Sequence, residues 1–196
     1  MDLTQGTSEQ KNNRAKKMML WFGIISLVMT FGGLTSAFIV SSTREDWLNN
    51  FVLPEAFTYS TIVIFISSIL LFFAKKAILK AQRSLSTSLL LGVLVLGIAF
   101  IYSQVVGFNQ IINSGYNFTG PTSNITMSYV YIIAVLHIVH VVVALLALMV
   151  IIVKHLQSPY TKNNKLGFDL ASTFWHFVDI LWLYLFFFLY FFNKIN

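Results

Sequence analysis

The chain has 196 residues, 57% of them hydrophobic and only 10% charged, with a formal net charge of +6. A soluble domain carries about 25% charged residues, and one of this size has too little interior to hide so much apolar surface, so a soluble enzyme, a nucleic-acid-binding domain and a disordered tail are excluded and the surplus must face lipid. There is no cysteine, which removes a disulfide scaffold, a thiolate zinc site, an iron–sulfur cluster and a cysteine nucleophile.

Residues 1–19 read as a polar tail holding Lys11, Arg14, Lys16 and Lys17. The apolar run Leu20–Val40 that follows is too long for the hydrophobic region of a signal peptide and has no small-x-small cleavage site after it. It is predicted as the first of five membrane-spanning helices, each needing about 20 mostly apolar residues. Gly23, Ser26, Thr30, Gly33 and Ala37 recur along it at alternating steps of three and four, which keeps them on one face. A face of small residues lets a second helix or a lipid chain approach closely. The remaining spans are predicted at Phe57–Ala74, Leu85–Phe108 with Gln104 inside it, Met127–Val153, and Ala171–Phe192. Residues 20–196 thus form one all-α, polytopic five-helix domain. All three prolines, Pro54, Pro121 and Pro159, fall in connections, whereas a substrate pore usually breaks its spans with Gly or Pro.

The basic residues alternate from loop to loop. The tail has four, the second connection has Lys75, Lys76, Lys80 and Arg83, and the fourth has Lys154, Lys162 and Lys165; the opposite side has only Arg44 and Lys194. By the positive-inside rule the N-terminus is cytoplasmic and the C-terminus periplasmic. The placement explains the positive charge without nucleic acid.

Polar groups at bilayer depth are costly and seek partners inside a bundle. The fourth span has His137 and His140, three apart and so on one face; the fifth has His176 and Asp179, also three apart. The two spans are consecutive and antiparallel, and His140 and Asp179 sit at similar depth. The expectation is a buried His–Asp or His–Trp network that includes Trp175 and Trp182. Three chemistries fit such a cluster: a zinc or non-haem iron site, titratable groups in series for proton traffic, or an interhelical hydrogen-bond network. H-x-x-H is a weak metal signature without the full H-E-x-x-H pattern, which favours the structural network. There is no Walker loop, no G-x-G-x-x-G and no mid-membrane acidic pair, so no catalytic, metal or cofactor ligand is assigned.

The run Phe174-Trp175-His176-Phe177-Val178-Asp179-Ile180-Leu181-Trp182-Leu183-Tyr184-Leu185-Phe186 resembles the W-H-F-V-D-x-x-W-L-x-L-F signature of subunit III of haem–copper terminal oxidases. Leu136-His137-Ile138-Val139-His140-Val141 is similar to that family's G-x-H-G-x-H-V, and Leu166-Gly167-Phe168-Asp169 to its F-G-F-E. Ser60-Thr61 and Ser67-Ser68 fall where the family has N-T and S-S, and Gln104 matches a family glutamine. The resemblance runs from about Trp21 to the C-terminus. Leu27 and Gly107 stand where the family has glutamates, and Val135 and Ile138 replace its glycines. The resemblance implies the five-helix bacterial form of a non-catalytic subunit in the cytoplasmic (inner) membrane. It would pack on subunit I and through it reach subunit II, bind phospholipid in a cleft, steady subunit I and support proton uptake and oxygen access. Haem and copper would lie in the partner subunits, with cytochrome c or a quinol as donor and a larger respiratory supercomplex as a further partner. An accessory subunit of a quinol oxidase or nitric oxide reductase has the same look, and a small standalone transporter is the alternative of a different class.

Overall fold

A computed structural model describes residues 6–48, 53–118, 120, 123–157, 160 and 165–195, and shows an all-helical chain. Five helices follow one another: α1 (Ser8–Ser41), α2 (Glu55–Leu79), α3 (Arg83–Asn113), α4 (Ile125–Gln157) and α5 (Leu166–Ile195). All five are long and apolar enough to cross a bilayer. Pro54 caps the N-terminus of α2; Pro121 and Pro159 lie outside the described residues, as do the first five residues of the tail and Lys162.

The helices outrun their apolar stretches. Beyond the bilayer the backbone still closes its own hydrogen bonds, so a span has no reason to end where hydrophobicity does. α1 starts within the polar tail, where Thr7 and Gln10 form a capping box, each side chain meeting the other's backbone N–H. Ser8–Met19 therefore adds about 18 Å of helix below the apolar run. At the end of α2, Gln82 N–H reaches the Ala77 carbonyl and Ala81 N–H the Ile78 carbonyl. That pairing is a Schellman turn, which needs one left-handed residue; Ala81 supplies it at φ 56°. With only residues 80–82 between them, α2 and α3 run back to back and form the most extensive helix pair.

α2, α3, α4 and α5 close a ring, each touching the next and α5 returning to α2, while α1 leans on α4 and α5 alone. The inside of the ring is filled by large side chains, among them Phe57, Ile64, Leu90, Phe100, Ile133 and Trp182. α1 enters the core through Ile24, Phe31, Thr35 and Phe38. At the end of the bundle away from the second and fourth connections, Phe38 meets Trp47 edge-on at 4.8 Å and Phe192 at 5.0 Å. Arg44 there grips Asp46 through Nε and Nη2 at 2.8 and 3.1 Å. That hydrogen bond holds the Asp46 carboxyl below its usual range and the guanidinium above its own, on an exposed turn.

Candidate functional site

The polar side chains at bilayer depth gather along the contact between α2 and α5. On α2 the residues Thr61, Ser68 and Lys75 are seven apart, and on α5 so are Asp169 and His176, and Trp175 and Trp182. Seven residues are nearly two turns, so each set keeps one face through the contact. The antiparallel helices pair these sets rung by rung. Lys75 Nζ meets Asp169 Oδ1 at 2.9 Å near the basic end. Ser68 Oγ donates to Asp179 Oδ2 at 2.6 Å and lies 2.8 Å from His176 Nδ1. Trp175 Nε1–H donates to Ser67 Oγ at 3.2 Å and Trp182 Nε1–H to Thr61 Oγ1 at 3.0 Å.

Each hydroxyl on α2 has one proton to give. Ser60, Thr61 and Ser67 give theirs to carbonyls of their own helix, at Phe57 and Ile64. Their lone pairs are left for the indoles of α5 and for Gln104 Nε2 of α3, which reaches Ser60 Oγ at 2.8 Å. Ser68 differs: its hydroxyl goes across to Asp179 of α5 and also lies within hydrogen-bond distance of His176 Nδ1. The seam thus satisfies an indole, a carboxyl and an imidazole with small hydroxyls that are cheap to bury.

Asp179 is buried and meets Ser68 of α2 and the Trp175 indole rather than His140. His140 Nδ1–H instead meets the Leu136 carbonyl one turn back, at 2.6 Å, and its ring faces Phe31 of α1 at 5.8 Å. His137 is fully buried and lies against Trp182 with ring centroids 5.0 Å apart; Phe100 and Phe31 meet it edge-on. The His137–Trp182 contact is therefore of rings, since the indole N–H is spent on Thr61. The predicted cluster divides in two: His176 and Asp179 belong to the α2–α5 seam, while His137 and His140 belong to an aromatic layer between α1, α3, α4 and α5. α5 turns its polar edge toward α2, and depth along the membrane does not reveal that rotation. Gln104 is fully buried in the bundle.

The face of small residues on α1 looks outward. Gly23, Ser26, Thr30 and Gly33 are exposed and Ala37 is half-buried, and a methyl added at Gly23 or Gly33 would meet nothing within 4 Å. Its only polar bond is internal, from Thr30 Oγ1 to the Ser26 carbonyl at 2.9 Å.

Two features were not singled out from the residues. One is α2's share of the seam, whose seven-residue recurrence of Thr61, Ser68 and Lys75 was the available signal. The other is His155 at the basic end. Its Nδ1 accepts the Tyr160 N–H at 3.3 Å, so the proton sits on Nε2, 2.9 Å from Ser86 Oγ. Arg83 Nη2 donates to the Leu156 carbonyl at 2.6 Å beside it, tying the start of α3 to the end of α4. Nearby, α1, α4 and α5 enclose an apolar cleft of about 370 Å³, with Leu20, Val150, Leu170 and Phe174 among its walls and Lys154 and Tyr160 as its polar members.

Among the described residues no three of His, Asp and Glu converge as metal ligands. Fold and site together define a polytopic α-helical membrane protein whose internal polar groups join helix to helix. The family model for cytochrome c oxidase subunit III matches residues 4–194, and the chain belongs to that family. Among similar proteins, cytochrome c oxidase subunit 3 of Spodoptera frugiperda is 28% identical over 130 residues, 65% of this chain and 82% of that one. The subunit 3 of Petromyzon marinus is 28% identical over 176 residues, 83% of this chain but only 64% of the relative's length. That of Loxodonta africana is 25% identical over 196 residues, 93% of this chain and 73% of the relative. His137 is walled in by rings, and His140 and His176 belong to different helix contacts.

Proposed function

We propose that this chain is a non-catalytic subunit of an aerobic terminal oxidase that takes electrons from cytochrome c. It packs against the haem- and copper-bearing subunit I, and through it subunit II, in a bacterial cytoplasmic membrane, and steadies subunit I during turnover. The observation that carries this reading is the family match along residues 4–194. The geometry supports a structural role: Trp175, His176, Asp179 and Trp182, which carry the signature on α5, spend their hydrogen-bonding groups on α2. The cleft between α1, α4 and α5 supports lipid binding, since its walls are apolar and Lys154 stands at the basic end, where an anionic headgroup would lie. The reading includes support for proton uptake by subunit I. Leu27 packs on the core and Phe57 fills the space over Gly107, where the family has carboxylates. That support therefore rests on the chain's hold on subunit I rather than on a carboxylate path through its own helices.

In a native gel under gentle detergent the chain should migrate with a large haem-bearing subunit. Migration alone and haem-free would overturn the reading. Orientation follows from the loop charges: a reporter fused after Asn196 should read as periplasmic, and one inserted in 75–83 as cytoplasmic. The reverse pattern would invert the topology.

A further inference from the structure

α1 is held to the bundle unequally along its length. At the Trp47 end, Thr35 Oγ1 lies 3.0 Å from Tyr184 Oη of α5, and Ser41 Oγ lies 2.9 Å from Tyr129 Oη of α4. Phe38 there sits edge-on against Trp47, Tyr129, Phe188 and Phe192. Toward the basic end the hold is apolar: Ile24 and Phe31 are buried and Leu27 packs on the core. Among the described residues, 20–31 makes no hydrogen bond to another helix; the Thr30 hydroxyl turns back to the Ser26 carbonyl of α1 itself. In a bilayer these two kinds of hold differ. Lipid tails can take the place of an apolar helix contact at little cost, because they are as apolar as the side chains. They cannot take the place of a hydrogen bond. The Trp47 end of α1 is therefore fixed, and the contacts of 20–31 are exchangeable.

Between the two stretches stand Gly32 and Gly33. Both are exposed, and a methyl added at either would meet nothing within 4 Å, so no neighbour in this chain requires glycine. Glycines in a helix interior cost stability relative to alanine, and small-residue pairs of this kind are among the few sequence features at which helices bend. The stretch below them carries the α1 wall of the apolar cleft, where Leu20 stands with Val150 and Lys154 of α4 and Phe174 of α5. Leu20 is twelve residues from Gly32, about 18 Å along the helix, so a bend of about 10° at the glycines moves it by about 3 Å. We propose that residues 20–31 of α1 form a gate on this cleft, hinged at Gly32 and Gly33 and hung from the Thr35–Tyr184 and Ser41–Tyr129 bonds, which swings from α4 and α5 to admit or release a lipid chain. The proposal rests on the reading of the cleft as a lipid site and adds how that site is entered.

Spin-label distances in the intact complex test the gate. The chain has no cysteine of its own. Labels can be placed through Met19→Cys with Leu156→Cys at the basic end, and through Val40→Cys with Ile132→Cys at the Trp47 end, all exposed positions. The first pair should give a broad distance distribution and the second a narrow one. Gly32→Ala with Gly33→Ala should narrow the first pair and leave the second unchanged. It should also slow the release of labelled phosphatidylglycerol roughly fivefold, the factor of one glycine-to-alanine step in helix propensity. Equally narrow distributions at both ends would overturn the proposal, as would a first pair or a release rate that the alanines do not alter. Departure of the double-alanine subunit from the complex would overturn it too, since the glycines would then serve a partner's close approach. Val150→Trp, which fills the cleft, separates the gate from the reading beneath it. If the lipid retained per complex is unchanged by that substitution, the lipid site falls and the gate with it. If lipid is lost while the alanines change neither distance nor release, the gate alone falls.

Discussion

Ser68→Ala should weaken the subunit more than Asp179→Ala, although the aspartate is the more conspicuous residue. Ser68 is the hub of its rung: it donates to Asp179 and lies 2.8 Å from His176 Nδ1. Removing it leaves a carboxyl that is only 3% exposed with the Trp175 indole as its remaining side-chain partner and takes the partner from His176 Nδ1, at about 1–3 kcal/mol for each group left unsatisfied. Removing Asp179 instead frees the serine proton for a carbonyl of α2, as Ser67 already uses its own, and leaves the bond to His176 in place. The cost is then a small cavity and one membrane hydrogen bond, the latter averaging about 0.6 kcal/mol. The double variant should fall between the two, because the carboxyl that Ser68→Ala leaves behind is gone while His176 still lacks its serine. In the assembled oxidase these losses should appear as faster departure of the subunit and faster decay of activity, with the initial rate retained. An Asp179→Ala complex that keeps this subunit but starts at a small fraction of the normal rate would refute the anchoring role and favour proton traffic through Asp179.

Gly107→Ala should destabilise the bundle by about 1–3 kcal/mol, the usual cost of forcing atoms into a packed core. A methyl built on Gly107 lies 2.4 Å from Phe57 Cε1 and 2.7 Å from Cδ1. The Phe57 ring cannot withdraw easily, being fully buried and set edge-on against Trp182 at 5.7 Å and Phe108 at 6.2 Å. The rescue is equally specific: Phe57→Leu should recover much of the loss in Gly107→Ala, and a thermal-inactivation cycle over the four proteins would read the coupling. If the two effects simply add, Phe57 is not what makes glycine necessary. The ring occupies the volume that any longer side chain at this point of α3 would need.

The number of spans and their approximate places were legible in the sequence, because hydrophobicity summed over about 20 residues is a local property that no neighbour can alter. The polar residues at bilayer depth were legible too, and so was the family, since the motif on α5 is contiguous. The extent of each helix was not: α1 begins at Ser8 and α3 runs to Asn113, because hydrogen bonding within a helix continues in water past the last apolar residue. Only the tertiary structure decided which neighbour each polar group meets. His140 and Asp179 match in depth, yet depth leaves the rotation of each helix about its axis undetermined, and α5 turns Asp179 to Ser68 while α4 turns His140 toward α1. The same rotation sends the small face of α1 outward, since Phe31 and Phe38 fill the core beside α4 and α5 and a glycine stripe would leave it empty. Span count is additive along the chain, whereas pairing depends on how five helices share one interior, and that is settled by volume and hydrogen-bond satisfaction across the whole bundle.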